Sequence, residues 1–215
     1  MNKIRVLLFF IFLGIFSSAF QIGSMSTVSE EDANTFMDEF KELVLDIDAF
    51  GIFTHNTTIA LPMFIPGFGI AWGIFSAWST GFAFAAITTT PELENIPPLS
   101  LLFLSPFGLM EIFAYSLGIS RSFILIKAII KKTGLQQFIK PTIIEIGLVI
   151  GFLLVGGYLE FYMIELAQES DFKIFEFWYA IILVLRIRRH LIYCQNRIWL
   201  FDSLFSKTLL LREFF

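Results

Sequence analysis

Cysteine occurs once, at Cys194, so no disulfide can close within the chain, and the only histidines are His55 and His190. A protein zinc centre draws three or four ligands from Cys, His and carboxylates, so this inventory speaks against a metal site. Charge is scarce too: 16% of residues are Asp, Glu, Lys or Arg, against about 25% in an ordinary soluble domain. The net charge of −4 is modest and does not indicate nucleic-acid binding. Phosphate loops of the GxxxxGK[ST] type, HExxH and the Gly-x-Gly-Asp step of intramembrane aspartyl proteases are all missing. A membrane serine protease needs an embedded histidine, whereas His55 stands at the mouth of an apolar segment and His190 in a basic cluster. These gaps argue against an enzyme and against a bound cofactor.

Apolar sequence is what the chain has in excess. Hydrophobic residues make up 56%, 28 of the residues are Phe, and the mean hydropathy is +0.76. From Ile59 to Ile87 there is no charge at all. A chain of 215 residues cannot cover four or more such stretches with a water-soluble core. Lipid is therefore the expected solvent of its middle part. The expected fold class is all-α: a polytopic helical membrane protein of about five or six membrane segments, some short or broken by Pro and Gly.

Four regions follow from the charge and hydropathy pattern. Residues 1–22 read as an N-terminal membrane anchor behind Lys3 and Arg5. A cleaved signal peptide with Ser17-Ser18-Ala19 as its small-residue site is the alternative, and the full-span length favours the anchor. Residues 23–50 carry eight carboxylates against Lys41, a net of −7, with Phe36, Phe40, Leu43, Val44 and Ile47 at helical spacing. This reads as an acidic amphipathic helix, N-capped at Ser29, outside the membrane. Residues 51–165 form the membrane core. Residues 166–215 are a divergent extension with a short apolar run at Phe175–Leu185.

Within the core, Thr54–Thr90 is long enough for two short spans or for one span plus a broken half-helix. Leu99–Ile126 is the next block, interrupted at Ser105-Pro106, and Lys127–Lys140 is a basic loop before the span Thr142–Ile164. The positive-inside rule puts that loop and the N-terminus in the cytoplasm, and the acidic segments outside. Leu99–Ile126 then runs inward, which requires an even number of crossings between Phe50 and Pro98. Two crossings with a turn near Ser76–Gly81 are favoured. The four-residue row Gly69, Gly73, Ala77, Gly81 and Ala85 argues instead for one continuous, closely packed helix there.

Three patches in this order carry a resemblance. His55-Asn56 leads a Pro/Gly-rich span that ends at Thr80-Gly81; LSPFGLMEIFAY covers Leu104–Tyr115; GGYLE covers Gly156–Glu160. From about Asp48 to Ile164 the chain resembles the stage II sporulation protein M family, also called DUF95. It departs from the pattern at Phe107, where many members have histidine, and in the residues that follow Ile164. The resemblance implies a multi-pass membrane protein without known enzymatic activity. It also implies a scaffold: the sporulation namesakes gather cell-wall hydrolases at a septum, although many relatives occur in organisms that do not sporulate.

Glu111 is the sharpest candidate site residue. It falls midway along an apolar block, where a carboxylate costs about 2.5–3.5 kcal/mol unless paired or protonated. Behind it lies a break at Pro106 and Gly108. A transport or binding role competes with a structural hydrogen bond. Arg121, ten residues on, is expected to snorkel towards Lys127, with pairing to Glu145 as the alternative. Glu145, following Pro141, reads as a first-turn complement to the helix dipole. Glu160 reads as snorkelling outward, and Asn56, next to His55, as an N-cap. Pro62 and Pro66 imply a kink or an unwound site, and Gly147 with Gly151 implies close helix packing. Trp72, Trp78, Trp178 and Tyr179 read as interfacial anchors.

The expected partners are the lipid bilayer and other membrane or cell-envelope proteins, with a homo-oligomer as an open alternative and no nucleic acid. The expected role is a non-enzymatic scaffold in the cell membrane. The alternative is a transporter, or the permease subunit of an ABC-type exporter, built around Glu111 and the broken helices.

Overall fold

A computed structural model describes residues 3–29, 31, 33–36, 38, 47–88 and 97–169. The described helices belong to one compact unit, Met1–Glu169. They are α1 (Lys3–Ser24), α2 (Ala49–Ala60), a 3₁₀ turn (Leu61–Phe64), α3 (Phe68–Ile87), α4 (Pro98–Leu104), α5 (Pro106–Ile130) and α6 (Gln136–Glu169). No strand occurs among the described residues. Most of the acidic segment, and the apolar run Phe175–Leu185 with Trp178 and Tyr179, lie outside them.

Four of these helices are long and apolar enough to cross a membrane: Lys3–Ser24, Phe68–Ala86, Pro106–Ile130 and Gln136–Leu166. The chain is thus an all-helical membrane protein with four candidate spans among the described residues, and α2 is a shorter companion of 12 residues.

The turn expected near Ser76–Gly81 is not there, because α3 runs unbroken through it. Reversal happens earlier, at Pro62–Gly67. Pro62 opens the 3₁₀ turn, and Pro66 cannot donate the N–H that would carry the helix onward. Gly67 then takes φ 80°, a conformation that a side chain resists. The outcome is a hairpin. Asn56 lies beside Glu111 and Ile65 beside Ser122, so α2 and its turn run along α5 in the same direction. Gly67 faces Ile126 and Gly73 faces Ile119, so α3 runs back the other way.

In lipid, apolar burial does little to bring helices together, so close packing and interhelical polar contacts must do so. Two crossings show how small residues serve this. A Cβ at Gly81 would collide with the Phe20 carbonyl, and one at Gly23 with the Trp78 carbonyl, so α1 and α3 touch backbone to backbone. Gly69 packs in the same way on the Met63 backbone, Gly73 sits under Ile119, and Ala77 is fully buried. The other glycine pair behaves differently: among the described residues nothing lies within 4 Å of a Cβ at Gly147 or Gly151.

Other local expectations are also corrected. Ala19 is buried in the continuous α1, whereas Ser18 beside it is exposed. Asp48, not Asn56, caps α2 through Gly51 N–H. Ser105 caps α5 through Gly108 N–H, with Pro106 in the first turn, so this break is a helix start. α6 begins at Gln136, which places Lys140 and Pro141 inside it and Glu145 beyond its first two turns, away from the helix-dipole position.

Candidate functional site: two polar clusters inside the bundle

The first cluster joins α1, α5 and α6. Arg5 Nε donates to Glu145 Oε1 at 2.8 Å and Arg5 Nη2 to Oε2 at 2.8 Å. From the other side Arg121 Nε donates to Oε2 at 2.7 Å and Arg121 Nη2 to Oε1. Two guanidiniums thus fork onto one carboxylate, the bidentate geometry that makes Arg–carboxylate bonds strong. Arg5 Nη1 also donates to Ser120 Oγ at 2.7 Å and Nη2 to the Leu117 carbonyl at 3.2 Å. Arg121 does not snorkel; it is buried, with 4% of its surface exposed. Each oxygen of Glu145 accepts from both arginines, so the carboxylate is saturated while the cluster keeps a net charge of +1.

The second cluster joins α2, α5 and α6. Asn56 Nδ2 donates to Glu111 Oε1 at 2.6 Å. Glu160 of α6 and Tyr115 of α5 lie near Glu111. Glu160 does not snorkel outward: its Oε2 is buried and has no hydrogen-bond partner. The Gly156-Gly157 step explains how these residues meet. A Cβ at Gly157 would crowd Phe53 N and Ala49 O of α2, and Gly156 lies against Met110 of α5. Both helices close on α6 there, and Glu160, three to four residues on, lies on the same helical face.

The structure therefore brings Asn56, Glu111 and Glu160 together, and separately joins Arg121 to Glu145. His55, next to Asn56, is exposed and belongs to neither group. Pro62, Pro66 and the α2–α3 turn are held from α5: Ser122 Oγ donates to the Ile65 carbonyl at 2.6 Å and accepts from Gly67 N–H at 3.0 Å. Trp72 is an internal brace, its Nε1 donating to the Ile59 carbonyl at 2.9 Å, whereas Trp78 is exposed.

Arg5, Ser120 and Ser122 are the residues that sequence reasoning missed. Arg5 counted only as a flanking positive charge. Nothing local in the sequence links it to Glu145, 140 positions away. No group of three or more His, Cys, Asp or Glu among the described residues could hold a metal ion.

Residues 6–163 match the model of a family described as Stage II sporulation protein M. Neither a curated protein nor a solved structure matches the chain.

Proposed function

Because this chain belongs to the stage II sporulation protein M family, we propose that it is a scaffold of the cell membrane. In this role it holds partner proteins against its outer helix faces and performs no chemistry of its own. The observation that carries the reading is how the polar side chains are used. Arg5, Arg121, Glu145, Asn56 and Ser122 all bond another segment of the same chain, which fixes the shape of the bundle. Meanwhile one face of α6 is left uncovered among the described residues. Ile143, Leu148, Val155 and Tyr158 are at least half exposed, and Gly147 and Gly151 between them are open to close approach.

Lys127, Lys131, Lys132 and Lys140 gather where α5 meets α6, and the positive-inside rule assigns that end to the cytoplasm. α5 then runs inward, α3 outward and the α2 hairpin arm inward. This leaves residues 23–50 outside and the N-terminus of α1 within.

Photo-reactive residues placed in cells at exposed Leu148 and Val155, and at buried Val149 and Leu153, test the reading. A discrete protein adduct is expected from the exposed pair alone. Lipid adducts only, from every position, would end it.

A second reading, transport of a proton or cation, is favoured by one observation: the partnerless Oε2 of Glu160 beside Glu111. A buried carboxylate oxygen without a donor, in a medium of low polarity, calls for a proton or a cation. Flux in liposomes should fall with Glu111→Gln on this reading, and equal background flux from both proteins removes it.

A further inference from the structure

An apolar groove of about 250 Å³ opens where the two walls α5 and α6 converge, lined by Pro66, Leu125, Leu135, Phe138, Ile139 and Thr142. Its lining is almost wholly apolar. Even Thr142 contributes little polarity, since its hydroxyl donates to the Phe138 carbonyl at 2.7 Å. Pro66 brings the α2–α3 turn to the groove, so the helix break singled out in the sequence helps to form it.

Charge is confined to one end. The connection from α5 to α6 starts with Lys131 and Lys132, and Leu135, three residues beyond Lys132 in that connection, is itself a groove residue. Both lysines are exposed. From Ser122 to Ile144 there are four lysines and no carboxylate, and neither of these two enters an ion pair among the described residues. Lys127 differs, lying 6.0 Å over the Phe123 ring.

We propose that this groove binds one anionic glycerophospholipid, with an acyl chain along the apolar walls and the phosphate at Lys131 and Lys132. The layout matches that ligand: an apolar lining, a pair of exposed cations three to four residues before the groove residue Leu135, and a position at the basic end of the spanning helices. Basic pockets between membrane helices recognise anionic headgroups through this combination. A zwitterionic lipid shares the chain but lacks the net charge, and a soluble glycerophosphate has the headgroup alone.

The full chain, reconstituted in nanodiscs of equimolar phosphatidylglycerol and phosphatidylcholine, is released into native mass spectrometry. One retained phosphatidylglycerol is expected, and free glycerophosphate should not displace it. The double variant Lys131→Gln/Lys132→Gln should weaken retention roughly thirtyfold, at the usual contribution of a basic residue near a lipid surface. Leu135→Trp, which fills the groove, should abolish retention while leaving the lysines in place. Lys140→Gln should leave it unchanged, because Lys140 does not line the groove and lies about 160° around α6 from Phe138 and Thr142. Equal retention of phosphatidylcholine, an equal loss with Lys140→Gln, or a second copy of the chain found in the groove would overturn the proposal.

Discussion

The two polar clusters use the same kind of residue in opposite ways. At the basic end, Glu145 receives four donors from two arginines, and both of its oxygens are saturated. At the other end, Glu111 receives one amide donor from Asn56, and Glu160 keeps a buried oxygen with none. A carboxylate inside a membrane bundle is therefore not a single kind of object. Its consequence depends on how many donors converge on it. The first cluster is a clamp between three helices. The second carries an unmet hydrogen-bonding demand, and this is where the protein departs from a fully satisfied interior.

Substitutions should separate the two. Glu145→Ala leaves two guanidiniums facing each other without their carboxylate and is expected to cost about 3–5 kcal/mol, read as unfolding in detergent. Asn56→Leu removes the single donor to Glu111 and should cost about 1 kcal/mol, the usual scale of an interhelical hydrogen bond in lipid. Glu160→Gln should be neutral or stabilising by up to about 1 kcal/mol, because an amide relieves the facing carboxylates and adds a donor. Loss of stability there comparable to Glu145→Ala would erase the contrast. His55→Ala, one residue from Asn56 but exposed, should give no measurable change in the same assay.

The membrane class and the start of α5 were legible in sequence because they rest on local signals: uncharged length, and Ser-Pro ahead of an apolar run. Glu111 stood out for the same reason. Within Thr54–Thr90 the favoured turn was misplaced. Ser76–Gly81 looks like a turn by composition, yet its small residues are what let α1 and α3 meet, and the left-handed Gly67 behind Pro66 makes the reversal. The Arg5–Glu145 pair is 140 positions apart, and no periodicity links them. Only the assembled bundle shows that a first-turn arginine belongs with a carboxylate of the last described helix. Glu160 was misread for a related reason: its sequence position suggested an interface, and the Gly156-Gly157 approach of two other helices encloses it instead.

The Arg5 pairing also imposes an order on biosynthesis. Helix α1 is made before α6, and its matching carboxylate sits in that last described span. Through most of translation that guanidinium has no acidic mate. Until α6 is made, the partners left to Arg5 among those it bonds in the bundle are the Ser120 hydroxyl and the Leu117 carbonyl of α5. A chain truncated before Glu145 should therefore leave Arg5 and Arg121 without the carboxylate they share.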